Sequence, residues 1–266
     1  MKVYILNNGY LECDLNQLVA NGTIGTVDDK TPAHKWIKAP VYVVLVDHPQ
    51  AKVLYDTGCH PDAMKGYWPE ALWKAFPYYG QAEHRLENQL KKVGLVPKDI
   101  DIVVQSHMHL DHAGNLSLFT HADVYVHKED FAMGLISTHS NPDPSTHGAY
   151  IKADIEVPCR FKTITEDTEL LPGIELISLP GHTPGVLGMV VKLKNSGMLI
   201  FPSDAIYRRE NYGPPGRFSG IVYDSISFMK SIEKVRALAT KGKGQVMFSH
   251  DWDFFQTMKL APEYYD

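Results

Sequence analysis

The chain has 266 residues, of which 44% are hydrophobic and 21% are charged, and its formal net charge is -5. These values are typical of a globular protein and exclude a disordered or fibrous chain. The acidic balance offers no basic surface to a phosphate backbone, so a small molecule is the expected partner and nucleic acid is not.

The N-terminal stretch has one early lysine and only a short apolar run, which fits neither a signal peptide nor a membrane-spanning helix. The three cysteines, Cys13, Cys59 and Cys159, form no CxxC pair, so we predict neither a disulfide scaffold nor a thiolate zinc site. A cytoplasmic protein with no membrane partner is the expectation.

Short runs rich in β-branched residues recur along the chain and predict buried strands. They cover residues 3–6, 41–46, 53–55, 100–105, 124–126, 176–179, 188–193, 199–201 and 245–248. Helices are predicted at 83–93 and 227–239, because apolar residues there fall on one helical face. No linker divides the chain, which predicts one domain over residues 1–266 with sheets packed together and helices outside.

Two segments, residues 7–40 and 203–220, show no regular pattern and are predicted to be long loops. Loops of this length in a compact domain usually form lids or pocket walls.

A dense group of metal-binding side chains follows the predicted strand at 100–105. His107, His109, Asp111 and His112 occupy four of six consecutive positions. Imidazole nitrogens and carboxylate oxygens are ligands that Zn²⁺ accepts, and a strand end fixes their directions. His107 and His109 can project to one side while Asp111 and His112 turn to the other, so one loop can supply two adjacent metals.

Three later residues, His182, Asp204 and His250, also follow apolar strands and complete the set of candidate ligands. Each alone is a moderate signal, since a proline- and glycine-flanked histidine or a single aspartate can simply belong to a turn. A lone histidine is usually a surface or hydrogen-bonded side chain, and we expect this of the eight remaining ones, which are His34, His48, His60, His84, His121, His127, His139 and His147.

The order HxHxDH, H, D, H resembles that of the metallo-β-lactamase superfamily, and the resemblance extends from residue 41 to residue 250. It also covers Asp56-Thr57-Gly58, whose aspartate is expected to support the metal-binding loop. The resemblance implies an αββα four-layer sandwich, in which two mixed β-sheets pack face to face with helices outside.

The resemblance also implies two Zn²⁺ ions per chain, for which Co²⁺, Mn²⁺ or Fe²⁺ could substitute. One metal would take His107, His109 and His182, and the other would take Asp111, His112 and His250. Asp204 would bridge them beside a bridging hydroxide, the nucleophile of a metal-dependent hydrolase.

Tyr207 lies three residues after Asp204, and this D-x-x-Y pattern resembles the N-acyl-homoserine lactonases, the quorum-quenching enzymes that open a lactone ring. The resemblance implies that the Tyr207 hydroxyl donates a hydrogen bond to the ester, a role that suits a phenol. Asp111 would orient the hydroxide and pass a proton to the leaving oxygen. Tyr207 could instead be only a packing aromatic.

Two other functions remain open. A thioester or other carboxylic-ester hydrolase of the glyoxalase II type would use the same seven ligands, although Lys259 is the only lysine after His250 to bind glutathione. A non-catalytic zinc module would saturate its metal with protein ligands, which seven ligands on two metals do not do.

The sequence leaves the walls of an acyl pocket undecided. The aromatic candidates are Trp36, Tyr67, Trp68, Trp73, Phe76, Tyr78 and Tyr79. Aromatic residues at this density also suit a core or an interface, and the stretch from 67 to 79 is compatible with a homodimer.

Overall fold

The larger of the two β-sheets contains seven strands. A computed structural model describes residues 1–266 and gives this sheet the order β4-β1-β2-β3-β5-β6-β7. Strands β1 to β3 and β4 pair antiparallel, whereas β3, β5, β6 and β7 run parallel, so the sheet is mixed. Its strands are β1 (Lys2–Asp14), β2 (Trp36–Asp47), β3 (Lys52–Tyr55), β4 (Tyr78–Tyr79), β5 (Ile102–Val104), β6 (Asp123–His127) and β7 (Arg160–Ile164).

The second sheet has five strands in the order β12-β11-β10-β9-β8. Four of them form an antiparallel meander, and β12 joins β11 in parallel. The strands are β8 (Thr168–Leu171), β9 (Ile174–Ser178), β10 (Leu187–Lys192), β11 (Met198–Phe201) and β12 (Gln245–Val246).

Eight α-helices, together with short 3₁₀ turns, complete the fold. None of them combines the length and the apolar character that a bilayer crossing requires. The helices are α1 (Leu15–Leu18), α2 (Glu70–Ala75), α3 (Leu86–Lys91), α4 (Lys128–His139), α5 (Lys152–Ile155), α6 (Arg209–Tyr212), α7 (Ser225–Gly242) and α8 (Trp252–Phe255).

The core is divided into layers by the two sheets. Along β2, Val44 and Val46 face the second sheet, where they share a buried cluster with Met189 of β10. The alternate residues Val43 and Leu45 belong to the cluster on the opposite face, beside α3. Because both faces are buried, such strands read as continuous apolar runs, and each buried aliphatic side chain contributes roughly 1.5–3 kcal/mol.

The outer face of the second sheet is covered by α7. Phe228, Ile232 and Val235 of this helix are buried in one cluster with Val190 and Ile200 of the sheet. The molecule is therefore layered as helix, sheet, sheet and helix, which confirms the αββα fold class.

The predicted loop at 7–40 is wrong at both ends. Strand β1 continues to Asp14, and β2 begins at Trp36, so the two ends pair with each other in one long hairpin. Asn7, Asn8 and Gly9 concealed the strand because residues of these types are rare in strand interiors. The register shifts between Asn7 and Tyr10, and Gly9 adopts a φ of +93°, so the strand accommodates these residues in a bulge. The second predicted loop, 203–220, is interrupted by α6.

Helix α4 and strands β4, β7 and β8 were not predicted. The buried positions of α4 are Asp130, Gly134 and Thr138, which repeat every four residues but are not apolar. Its inward face therefore gives no hydrophobic periodicity. Strand β7 has no buried residue, so it also lacks the signal.

Candidate metal centre

Strand ends at one edge of the sandwich supply every candidate ligand. The loop after β5 carries His107, His109, Asp111 and His112. The loops that follow strands β9, β11 and β12 of the second sheet carry His182, Asp204 and His250 respectively. The structure brings all seven together, although they are scattered over 144 positions, from 107 to 250.

Asp204 lies at the centre of this cluster, and its two carboxylate oxygens face different histidines. Oδ1 is 3.1 Å from His250 Nε2 and 3.4 Å from His112 Nε2. Oδ2 is 3.5 Å from His182 Nε2 and 3.7 Å from His107 Nε2. A carboxylate with one oxygen directed to each side has the arrangement that a bridging ligand needs.

The ligand atoms form two main groups on either side of Asp204. His107, His109 and His182 make one group, and the atoms of each group lie within 4.8 Å of one another. Asp111, His112 and His250 make the other. A third group, His107, His112 and Asp204, spans the two, and the assignment of ligands to each metal stays a prediction. None of the eight remaining histidines belongs to either group.

Hydrogen bonds to Nδ1 set the direction in which three of the histidines present Nε2. His112 Nδ1 donates to Asp56 Oδ2 at 2.8 Å, and His250 Nδ1 donates to the Pro40 carbonyl at 2.9 Å. Both partners can only accept, so Nδ1 is the donor, and Nε2 is the nitrogen that faces the cluster and can serve as the ligand atom.

Ser106 fixes the third histidine, His107. The Ser106 hydroxyl donates to Asp56 Oδ2 at 2.9 Å, so the Ser106 oxygen is free to accept from His107 Nδ1 at 3.0 Å. The Ser203 hydroxyl also donates to this Ser106 oxygen, at 2.8 Å. The Asp56 contact is the support expected of the Asp-Thr-Gly turn, and the turn places Asp56 at a φ of +63°.

The unpaired atoms of the cluster test whether a metal fits. His107 Nε2, His112 Nε2 and Asp204 Oδ1 are buried and have no hydrogen-bond partner. Leaving such a polar atom unpaired in a protein interior costs about 1–3 kcal/mol each. Three lone-pair donors buried together without partners are what a bound cation would satisfy, so the residues fit a metal centre.

Burial also favours the ligand form of His107 and His109. It lowers the pKa of His107 and of His109 well below the ordinary value of an imidazole. Both rings are therefore neutral at pH 7, and a neutral imidazole offers a lone pair to a metal without first losing a proton.

Tyr207 is buried beside the cluster, and its hydroxyl is 2.7 Å from His182 Nδ1. The same ring nitrogen is 3.3 Å from the Ile221 carbonyl, which can only accept, so Nδ1 carries the proton and also donates to the phenol oxygen. The tyrosine thus contacts a candidate ligand directly, which the sequence did not predict, and its own O–H proton is left free.

An apolar cavity opens on the cluster. It exposes Asp111, His109, His182, Asp204, His250 and Tyr207, and its other walls are Leu11, Cys13, Leu18, Ala39, Leu72, Phe76, Leu110, Ala149 and Ile221. Of the seven aromatic candidates, only Phe76 lines this cavity. Tyr67 instead donates a hydrogen bond to Asp154, and Trp68 is buried in the core.

The supporting groups were missed by sequence reasoning for different reasons. Ser106 and Ser203 immediately precede His107 and Asp204, so a polar neighbour next to a ligand was an available signal. Pro40 contributes only a backbone carbonyl, which no residue type reveals.

Comparison with known proteins gives a consistent result. The family model of the metallo-beta-lactamase superfamily matches residues 37–250. N-acyl homoserine lactonase AiiB of Agrobacterium fabrum is 35% identical, over 97% of this chain and 96% of that protein. An N-acyl homoserine lactonase of a Bacillus species is 30% identical, over 99% and 98% of the two chains. A solved N-acyl homoserine lactone hydrolase, with the product N-hexanoyl-L-homoserine bound at its catalytic metal center, superposes with a TM-score of 0.85 at 26% identity, over 99% of this chain and 98% of that one.

Proposed function

This chain belongs to the metallo-beta-lactamase superfamily and, within it, to the N-acyl homoserine lactonases, and from that premise we propose that it hydrolyses the lactone ring of N-acyl homoserine lactones. It is a metal-dependent hydrolase that acts on ester bonds. The observation that carries the substrate assignment is the apolar cavity, which ends on the ligand cluster and on the Tyr207 hydroxyl.

Zinc is the metal that we propose for the centre. Five histidines and two aspartates form a donor set of the kind that Zn²⁺ takes in hydrolases, and Asp204 would bridge two ions. When bound, such ions supply a water molecule that is activated at neutral pH and an electrophilic pull on the carbonyl group.

Tyr207 would stabilise the charge that develops on the carbonyl oxygen. Burial, followed by the charge of Asp204, raises the pKa of its phenol well above the ordinary value, so the hydroxyl stays protonated at neutral pH. His182 Nδ1 donates a hydrogen bond to the phenol oxygen, so the phenol proton can be donated to the substrate. A fixed donor directed at developing negative charge is a large contribution to catalysis.

Asp111 would transfer a proton from the attacking water to the leaving ring oxygen. It is half-buried in the cavity wall, and its Oδ2 lies 3.6 Å from both His112 Nε2 and His250 Nε2. A carboxylate at this position can accept a proton from the attacking water and return it to the ring oxygen as the ester bond breaks.

The aliphatic walls of the cavity would bind the acyl chain. Leu11, Leu18, Leu72, Leu110 and Ile221 present hydrocarbon surface next to the ligands. Their burial against an alkyl chain contributes roughly 25 cal/mol per Å², and the chain excludes bulk water from the reacting bond.

Three further predictions go with this function. The zinc ions are held in one domain that spans residues 1–266. The enzyme acts in the cytoplasm on a small-molecule lactone. A homodimer is compatible with the aromatic stretch at 67–79.

The test is a proton-release assay on the purified protein. The substrates are N-hexanoyl and N-decanoyl homoserine lactone, a thioester and a β-lactam. We expect turnover of the lactones that stops after chelation and returns with Zn²⁺. Proton release from the thioester alone would show that the substrate is a thioester and not a lactone.

A further inference from the structure

A buried carboxylate in helix α4 lies against the metal-binding loop. Asp130 is fully buried, and its Oδ2 accepts a hydrogen bond from the backbone N–H of Met108 at 2.8 Å. Met108 separates His107 from His109, so this bond fixes the peptide between two candidate ligands of the same half. Its sequence position, 22 residues after Met108, gave no sign of the contact.

The second oxygen of the same carboxylate holds Tyr150. Asp130 Oδ1 accepts from the Tyr150 hydroxyl at 2.8 Å. The Tyr150 ring meets the His109 ring edge to face, with centroids 4.6 Å apart, and the two residues also form a β-bridge. Asp130 therefore constrains both the backbone before His109 and the plane of its imidazole.

These two hydrogen bonds connect one buried side chain to the peptide between His107 and His109 and, through the Tyr150 ring, to the His109 imidazole. Asp56 contacts both halves of the cluster, because it accepts from His112 Nδ1 and from the Ser106 hydroxyl that orients His107.

We propose that Asp130 is a positioning residue for the half of the metal centre formed by His107, His109 and His182. This inference rests on the proposed function only in that two metals are bound. Asp130 is neither a candidate ligand nor part of the cavity wall, and it acts through Met108 and Tyr150. Loss of the Asp130 carboxylate should lower the affinity for one metal ion more than for the other.

The experiment measures metal affinity rather than turnover. Metal-free Asp130→Asn protein is titrated with Co²⁺ against a competing chelator, and visible absorbance reports the two ions separately. Substitution of groups that orient metal ligands typically costs 10- to 100-fold in metal affinity. We expect a loss of this size for one ion, together with a smaller loss for the other.

Asp154→Asn is the matched control. Asp154 is also a buried carboxylate that accepts from a tyrosine hydroxyl, that of Tyr67, but it makes no hydrogen bond to the metal-binding loop. This variant should bind both ions with the affinity of the wild type. Asp56→Asn should lower the affinity for both ions, because Asp56 contacts His112 and, through Ser106, His107.

Tyr150→Phe keeps the test decisive if Asp130→Asn does not fold. It retains the ring against His109 and removes only the hydroxyl, so the affinity of the same ion should fall about 2- to 10-fold. Unchanged affinity of both ions in folded Asp130→Asn or Tyr150→Phe would overturn the inference, as would the same selective loss in Asp154→Asn. A wild type that binds two ions but hydrolyses no lactone would overturn the proposed function alone.

Discussion

The hydroxyl of Tyr207 has two hydrogen-bonding directions, and His182 uses only one of them. His182 Nδ1 donates to the phenol oxygen at 2.7 Å, so the phenol proton remains available to a substrate. The backbone carbonyl of Ile221, 3.3 Å from the same ring nitrogen, is a second acceptor for His182. The role of Tyr207 in catalysis and its role in holding His182 can therefore be separated.

Tyr207→Phe should lower kcat for N-hexanoyl homoserine lactone by about 100-fold, because loss of one donor to a developing oxyanion has an effect of this order. Metal content should stay at the wild-type value, since Ile221 still accepts from His182. Steady-state kinetics and elemental analysis measure the two quantities.

Tyr264→Phe is a suitable control, because this tyrosine is partly exposed and packs on Tyr4 instead of the cavity. An unchanged kcat in Tyr207→Phe would remove the proposed donor role. Loss of metal in that variant would show that Ile221 cannot replace the phenol oxygen.

Asp154 makes the stability of the protein depend on pH. Burial raises the pKa of this carboxyl to about 7, whereas in an unfolded chain it would titrate near the ordinary value of about 3.9. Between these pH values the folded protein keeps a proton that the unfolded chain releases. The free energy of unfolding therefore falls as the pH rises from about 4 to about 7, and this contribution is constant above that range.

Asp154→Asn should remove this pH dependence. Relative to the wild type, the variant should gain stability between pH 5 and pH 7, by an amount on the order of a few kcal/mol, with no further gain at pH 8. Urea unfolding in the presence of a chelator measures the difference. The exposed Asp253→Asn serves as a control, and parallel curves for Asp154→Asn and the wild type would contradict the expectation.

At the scale of elements, the turn after β9 is held in place by helix α7. Ser231 of the helix donates to the Pro180 carbonyl at 2.7 Å, and Gly181 adopts a φ of +142°. A Cβ on Gly181 would collide with the backbone of Phe228 in the same helix. The turn can therefore carry His182 against the cluster only with glycine at this position.

Gly181→Ala should move His182 away from Asp204, because neither the turn nor the helix backbone can yield without breaking these contacts. We expect weaker metal binding and a loss of stability of about 1–3 kcal/mol. Thermal unfolding and metal titration measure both. Gly94→Ala is the matched control, since Gly94 also has a positive φ, of +77°, but meets nothing within 4 Å. Equal metal affinity in the two variants would argue against a role for the turn.

Sequence patterns predicted elements where burial and residue type agree. Strand β2 was predicted because both of its faces are apolar, and α7 because its buried residues form one stripe. Helix α4 was missed because its buried positions are Asp130, Gly134 and Thr138. Asp130 is one of the buried residues that concealed the helix, and it is also the residue that contacts the metal-binding loop.

The candidate ligands were predictable for a different reason. Four metal-binding side chains within six residues have no common structural use, so their density alone marked the site. The groups that orient them were less visible. Tyr150 meets His109 from a distant loop, and Pro40 contributes only its carbonyl, so both depend on tertiary packing.

Over the whole molecule, the metal centre joins the two sheets. His107, His109, Asp111 and His112 follow a strand of the first sheet, and the other three ligands follow strands of the second. Bound ions would therefore hold together layers that otherwise meet through apolar side chains. Binding of this kind stabilises the folded state by mass action, by about 4 kcal/mol at a thousandfold excess over Kd.

Chelation should lower the thermal unfolding midpoint by roughly 10 °C, which is the shift that such a free energy gives a domain of about this size. Calorimetry of metal-free and Zn²⁺-loaded protein measures it. Asp204→Asn should show a smaller shift, because it replaces a carboxylate oxygen that faces two histidines with an amide nitrogen that cannot ligate. An equal midpoint with and without metal in the wild type would contradict a cross-link between the sheets.

Most of the apolar walls of the cavity lie in a different stretch of the chain from the metal ligands, although Leu110, Ala149 and Ile221 lie among the ligands. Leu11, Leu18, Ala39, Leu72 and Phe76 all precede the first ligand at position 107. Substitutions at these five positions could therefore alter which acyl chains are accepted without changing a loop that carries a ligand. Selectivity and reactivity could in this way change independently of one another.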